Sequence, residues 1–312
     1  MPPTAFPQPG DAAQPAAAPR CKCCGAPARP FARHDAARSC ADRHLPAPGG
    51  TFAPRGQMIA YHRCRRCGFV FTADFDALSD AELGAAIYDA DYIRADPDFA
   101  AARPRLFADY LHRLLGRRSR PAAVLDYGGG AGLLAALLRE RGIACDSFDP
   151  YFAAGAPPSG VPAGGYDLVT AFEVFEHSRD PLATARDALR WLAPAGVLLF
   201  STHLQPRRPD PDWWYIAPRN GHVSIHSAAS LAVLARRLGV RLLSVGEVLH
   251  VFCRPPAGPL LRTLFAPEAW TALYYASRRG VVPYARTAAM LARLGVPAAA
   301  DPRHLARALL RR

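Results

Sequence analysis

The sequence predicts an α/β protein: a doubly wound, Rossmann-like sheet with helices on both faces, preceded by a small metal-held module. Three observations carry this. A short apolar strand ending at Asp126 breaks into Gly128, Gly129, Gly130 and Gly132 just before a helical apolar pattern begins. Strand-like and helix-like patterns then alternate to about residue 252, as parallel βαβ units do. Upstream, Cys21-Lys22-Cys23-Cys24-Gly25 and Cys64-Arg65-Arg66-Cys67-Gly68 form two C-x-x-C-G knuckles.

Residues 1–20 are rich in Pro and Ala and lack an apolar core segment, so they read as a disordered leader without a signal peptide, and the expected location is cytoplasmic. Residues 21–73 read as a zinc-binding module. A tetrahedral Zn²⁺ site needs four soft ligands, and each C-x-x-C turn offers two thiolates. Cys21, Cys24, Cys64 and Cys67 supply all four, with Cys23 a bystander and Cys40, His34 and His44 in the intervening loop able to replace a ligand. Disulfides are the competing reading of the same cysteines. Residues 74–104 form an acidic helical connector, in which Tyr88 and Tyr92 either close a pocket from above or pack the connector.

The α/β core is expected over residues 105–255. Glycine at the turn after Asp126 admits positive φ and lets a ligand approach main-chain N–H groups, while the following helix points its positive end at the same place. The helix spans Leu133 to Arg141 and stops at Gly142, and Ile143 to Phe148 is the next strand. Asp149, at its tip, lies 21 residues after Gly128, where an acidic side chain can accept ribose hydroxyls. A dinucleotide fingerprint would want a third glycine where Leu133 stands. The Gly- and Pro-rich stretch from Ala153 to Gly165 reads as a shortened crossover. Tyr166 to Phe172 is a buried strand running into Glu173, Glu176 and His177, and a helix starts near Asp180-Pro181. After the strand Gly196–Phe200 comes an insertion, residues 202–227, carrying Trp213, Trp214, Tyr215, His222 and His226. A helix over Leu231–Leu238 and strands at Leu242–Val245 and Val248–Phe252 close the core, and residues 256–312 form a basic helical segment.

The run Leu125 to Gly132, Asp149, Tyr166 to Val169, Glu176-His177 and the strand Gly196 to Phe200 resembles the ordered motifs of class I S-adenosylmethionine-dependent methyltransferases. The resemblance covers about residues 105 to 252. It implies S-adenosyl-L-methionine as cofactor, held by Asp126, Gly128, Gly129, Gly130, Gly132, Asp149, Pro150, Phe172 and Glu173. Family members usually carry a small or acidic residue where Tyr127 stands and often a cysteine at Gly129. The two knuckles, followed by Phe69-Val70-Phe71 and Tyr88 to Tyr92, resemble bacterial methyltransferases with an N-terminal zinc-binding segment, several of which act on sugars.

Methyl transfer needs an aligned acceptor and, for a hydroxyl, a group that removes its proton. His177 is the first candidate base, beside Glu176, with His222 and His226 next; each is equally readable as a structural histidine. The expected acceptor is a small molecule, most plausibly a carbohydrate hydroxyl. An RNA or protein methyltransferase docking through the ribbon, and a non-catalytic binding module, are the alternatives. The formal charge of +12 is carried almost wholly by dispersed arginines, Lys22 being the only lysine, which disfavours a nucleic-acid partner. No apolar run reaches the length of a membrane-spanning helix.

Overall fold

The computed structural model describes residues 19–44, 50–115, 122–150, 158 and 160–254. The leader before residue 19, the basic segment beyond residue 254 and part of the crossover segment lie outside the described residues.

Two sheets organise the chain. The first is antiparallel and built from β1 (Ala28–Asp35), β2 (Met58–Cys64), β3 (Val70–Thr72) and β8 (Ser224–Ile225), in the order β1-β2-β3-β8. The fourth strand comes from the 202–227 insertion, pairing Val70 with Ile225 and Phe71 with Ser224. This insertion thus completes the sheet of the cysteine module. β3 is apolar and fully buried, and its outer edge carries main-chain groups that need partners; β8 supplies them. Further bonds fasten the knuckles: Gln205 Nε2 donates to the Gly68 carbonyl at 3.0 Å, and Arg237 donates to that of Cys23 at 2.6 Å.

The connector carries two short helices. α1 (Asp80–Ile87) starts on a capping box in which Ser79 and Glu82 satisfy each other's backbone N–H groups, an arrangement worth about 1 kcal/mol. α2 (Tyr92–Ala95) follows, and α3 (Ala102–Leu115) enters the core.

The second sheet has the order β5-β4-β6-β7-β10-β9. β4 (Val124–Tyr127), β5 (Cys145–Phe148), β6 (Tyr166–Phe172) and β7 (Leu192–Ser201) are parallel; β10 (Leu249–Cys253) runs antiparallel between β7 and β9 (Arg241–Val245). α3 and α4 (Leu133–Glu140) pack into one buried apolar cluster with residues of this sheet, while α5 (Pro181–Arg190) and α6 (Ala228–Leu238) belong to another. That second cluster also holds Cys21, Cys64, Cys67, Phe69 and Phe71, so the knuckles are part of the core's own apolar layer. Burying each such aromatic stabilises the assembly by about 2 kcal/mol, which ties the module to the core far more firmly than a linker would. α5 begins at Pro181 with Asp180 accepting from the N–H groups of Leu182 and Ala183, as its sequence predicts.

The chain leaves β4 in one direction to build β5 and returns on the other side to build β6. Ligands of doubly wound sheets bind where this reversal opens a crevice beyond the strand ends. Here those ends are Tyr127 and Phe172.

Candidate active site

A cleft of about 870 Å³ opens at that reversal, floored by Asp126, Gly128, Gly129, Gly130, Asp149, Phe172 and Glu173 and roofed by Tyr88, Tyr92, Phe99, Arg103 and Phe107. The connector therefore does supply the roof. Tyr88 meets Tyr92 edge-on at 4.8 Å, and Phe107 stacks on Phe172 with ring centroids 3.7 Å apart.

The glycine turn is shaped by its neighbours. A Cβ on Gly129 would stand 2.4 Å from both Asp126 Oδ2 and Ser147 Oγ, which explains glycine where related sequences often have cysteine. Gly130 N–H donates to Asp149 Oδ2 at 2.9 Å, joining the turn to the tip of β5. Tyr127, the other departure from the family pattern, points away and donates from its hydroxyl to Asp187 at 2.9 Å. Asp126 is almost fully buried and accepts from the Thr170 hydroxyl at 3.0 Å. Burial, and secondarily the charge of Asp149, push its pKa to about 7. Pro150 faces a small side cavity with Tyr127, Val174 and Thr184, beside the main cleft.

Beyond β6 the backbone is unusual. Glu173 has φ +55°, a conformation costing a non-glycine residue about 1 kcal/mol or more. Ser201 holds it: the Glu173 N–H donates to Ser201 Oγ at 2.8 Å, and the same hydroxyl donates to Glu173 Oε1 at 2.6 Å. Burial alone would raise the Glu173 pKa, but Arg103 and, after it, His203 and Ser201 bring it below the ordinary carboxylate range. Burial opposes the charge on Arg103 as well, yet Glu173 and Asp96 hold the guanidinium above its usual range, and Asp96 binds it through two bonds of 2.8 and 2.9 Å.

Glu176, three residues on, behaves oppositely. It is fully buried, and burial together with the charge of Glu173 raises its pKa well above normal. The two neighbouring carboxyls are thus pushed in opposite directions. Tyr215 donates to Glu176 Oε1 at 2.6 Å; Oε2 has no hydrogen bond, although the Thr202 hydroxyl stands near enough to favour its charge.

His177 lines the cleft, and its Nδ1–H donates to the Gly221 carbonyl at 3.1 Å. His222 lies behind it, donating from Nδ1 to the Tyr215 carbonyl at 2.8 Å. A carbonyl can only accept, so both imidazoles carry their proton on Nδ1 when neutral and leave Nε2 as a bare acceptor. Burial lowers both pKa values, for His222 helped by His177. The two rings stand 5.0 Å apart, and Glu176, His177 and His222 offer ligand atoms within 4.8 Å of one another.

His226 does not join them. It is buried against Phe69 and Phe175 at the seam between the knuckles and the core, with Nδ1 against the Ser230 hydroxyl at 3.3 Å. Its pKa falls to about 3 because burial excludes the charged form. This corrects the expectation that it faces the methyl-transfer position: the two histidines flank the two-residue strand β8, and the chain on either side of it carries His222 to His177 and His226 to Phe69. Trp213 and Trp214 likewise pack with Tyr215 beside the first sheet and do not line the cleft.

The four predicted thiolates do meet. Cys21 Sγ lies 3.5 Å from Cys67 Sγ, Cys24 Sγ lies 3.4 Å from Cys64 Sγ, and all four fall within 4.8 Å of one another. Tetrahedral zinc at about 2.3 Å from each sulfur sets its ligands about 3.8 Å apart, so the cluster fits the ion. The N–H groups of Arg66 and Cys67 point at Cys64 Sγ, as knuckle amides do toward a thiolate. Every cysteine among the described residues is free of disulfides. Cys40 sits apart, 3.7 Å from His222 Nδ1, and His34 is engaged by the Pro211 carbonyl at 2.8 Å, so neither replaces a ligand.

Arg103 and Asp96 are the site residues that sequence reasoning missed. Asp96 follows the end of α2 and Arg103 lies in α3, and nothing in their local pattern sets either apart from other surface charges. Arg219 was missed for the same reason; it is fully buried, paired with Asp89 at 2.5 Å and lying over the Phe52 ring.

Residues 99–245 match the family model described as a methyltransferase domain. No curated protein sequence matches the chain. Among solved structures, the chain is similar to an O-methyltransferase family protein from Burkholderia thailandensis, at 18% identity and a TM-score of 0.41 over 57% of this chain and 64% of that one. It is also similar to the 1,6-didemethyltoxoflavin-N1-methyltransferase of the same organism, at 18% identity and a TM-score of 0.39 over 64% and 96%. An O-methyltransferase from neocarzinostatin biosynthesis aligns at 16% identity with a TM-score of 0.37 over 52% and 60%. The chain thus spans somewhat under two thirds of the first and third of these proteins. The match to the methyltransferase-domain model spans a little under half of the chain.

Proposed function

We propose that the chain transfers a methyl group from S-adenosylmethionine to a hydroxyl of a small molecule, with a sugar nucleotide, a glycan or a natural-product sugar as the acceptor class. The observation that carries this reading is the cleft itself: a glycine turn tied to Asp149 on one side and an imidazole with a bare Nε2 on the other, under one aromatic roof. Asp149 and the Gly128–Gly132 turn would hold the ribose and methionine ends of the cofactor, whose sulfonium supplies an electrophilic methyl when bound. The paired, charged Arg103 supports anchoring of a carboxylate in the same cleft.

His177 is the proposed general base. Its Nδ1–H is fixed by the Gly221 carbonyl, its pKa is lowered by burial, and Nε2 can accept a proton as an acceptor hydroxyl attacks. His177→Ala should lower kcat by about 10²–10⁴-fold and leave cofactor affinity nearly unchanged, because the base acts on the transition state. Full turnover in that variant, against labelled S-adenosylmethionine and a panel of sugar nucleotides, lipid-linked glycans and RNA, would remove His177 from the role. Transfer to RNA alone would overturn the small-molecule reading. The burial of Cys21, Cys64, Cys67 and Phe69 in the core's own apolar layer argues against a ribbon held out to dock a macromolecule.

Zinc at Cys21, Cys24, Cys64 and Cys67 is proposed as a structural ion. Four thiolates with no fifth position open to substrate make a closed site, whose contribution is to folding.

A further inference from the structure

We infer that Glu176, His177 and His222 form a second metal site, distinct from the cysteine cluster, that takes a divalent transition cation such as Zn²⁺ or Mn²⁺ with a coordination position open toward the cleft. Three features converge on it. The ligand atoms of the three residues lie within 4.8 Å of one another, and ligand distances of about 2.0–2.2 Å bridge that spread after small side-chain rotations. Each ligand is also oriented from outside. The Gly221 and Tyr215 carbonyls fix Nδ1 of His177 and His222 at 3.1 and 2.8 Å, and the Tyr215 hydroxyl fixes Glu176 Oε1 at 2.6 Å. Backbone or hydroxyl partners of this kind set the tautomer and ring angle of metal-binding residues, and here they leave Nε2 of each histidine and Oε2 of Glu176 as the atoms free to bind.

The third feature is independent of the others. Glu176 is 0% exposed, and its Oε2 makes no hydrogen bond. A buried oxygen left unmet is destabilising, and a cation removes that cost. Two imidazoles and one carboxylate form a mixed nitrogen and oxygen set, which favours zinc, manganese, iron or cobalt over the all-oxygen preference of calcium and magnesium. Three protein ligands leave a position open, as catalytic ions require and structural ions do not. Of the three ligands His177 lines the cleft, so an acceptor hydroxyl would approach a loaded site past that ring, where the ion would hold it and make its proton easier to lose. With the ion bound, His177 would act as a ligand instead of as the free base. Cation binding itself does not rest on the methyl-transfer reading.

Cobalt titration of the metal-stripped full chain separates the two sites, since a four-thiolate site gives intense thiolate-to-metal charge-transfer absorption and a nitrogen and oxygen site gives only weak ligand-field bands. Two equivalents are expected in the wild type, the second without the thiolate signature. In Glu176→Gln and His222→Ala, one equivalent should remain, with the thiolate band intact as the sign of a folded chain. A wild type that binds one equivalent, all of it thiolate-type, overturns the proposal however the variants behave. So does a second equivalent that persists in both folded variants. S-Adenosylmethionine binding measured by calorimetry on the same preparations keeps the outcomes apart. Cofactor binding with one metal leaves the methyltransferase reading standing without this site, and two metals without cofactor binding does the reverse.

Discussion

Replacing Asp126 with Asn should stabilise the cofactor-free protein, and by an amount that depends on pH. Asp126 is fully enclosed at the end of a central strand, and its folded pKa is about 7 against 3.8 in the unfolded chain. A raised carboxyl pKa means that the folded state resists ionisation. The stability is whole below about pH 3.8, where both states are protonated, and is lost as pH rises toward and through 7, because the unfolded chain ionises first. At 1.36 kcal/mol per unit, the full loss is about 4 kcal/mol near pH 8 and about half of that near pH 5.5. Asn cannot ionise but keeps an oxygen to accept the Thr170 hydroxyl, so the variant escapes this loss. Urea unfolding of both proteins at the two pH values should show the gap in free energy of unfolding widening by about 2 kcal/mol from the lower to the higher. The widening is the diagnostic quantity, since any packing effect of the substitution is the same at both pH values and drops out. A gap that stays constant within about 0.5 kcal/mol would refute the reasoning and place Asp126 among ordinary carboxylates.

Further outcomes follow from the same geometry. Asp149→Ala should weaken S-adenosylmethionine binding by about 1–3 kcal/mol by calorimetry, and NAD should not bind the wild type, given Leu133 where a dinucleotide turn needs glycine. NAD binding in place of S-adenosylmethionine would contradict both. Gly129→Ala, whose new methyl would stand 2.4 Å from two oxygens, should cost about 1–3 kcal/mol in thermal unfolding and reduce cofactor affinity with it; an unchanged Tm would show that the turn can shift. Cys64→Ser should lose the thiolate-bound zinc by metal analysis and unfold at lower temperature in a single transition, because Cys64 and Phe69 share a buried cluster with Phe175 and Phe200. Undiminished zinc would refute the ligand set, and a separate early transition would show a module that folds by itself.

The parts of the fold legible in the sequence are those encoded locally. The strand into the glycine turn, the Asp180-Pro181 helix start, Gly142 as a helix stop and the two knuckles each depend on a few adjacent residues whose backbone preferences decide the outcome. The elements lost were those fixed by distant partners. β8 is two residues long and exists because β3 offers an edge, so no periodicity within 202–227 could announce it. His222 and His226 have equivalent sequence signals and opposite surroundings, one behind His177 and one against Phe69. The same holds for arginine: Arg219, fully buried beside Asp89, and Arg103, at the cleft beside Asp96, take those positions only in the tertiary fold. The connector was legible as helical, but the point where it breaks, at Tyr88 beside the cleft, was not.

The pairing of β3 with β8 also sets a timetable for synthesis. Val70 leaves the ribosome long before its partner Ile225 does, and at about 5–20 residues per second the interval is roughly ten to thirty seconds. Through that time the nascent module carries Val70-Phe71-Thr72 as an uncapped apolar edge, the kind of surface that recruits other chains. Early metal capture by the two knuckles would fix the module's hairpin but could not cover that edge, which closes only when residues 224 and 225 arrive. Chains that stall or are truncated before that point expose the edge permanently, so the vulnerable species in the cell is the unfinished polypeptide, and its yield should respond to chaperone supply and translation rate more than to the stability of the finished enzyme.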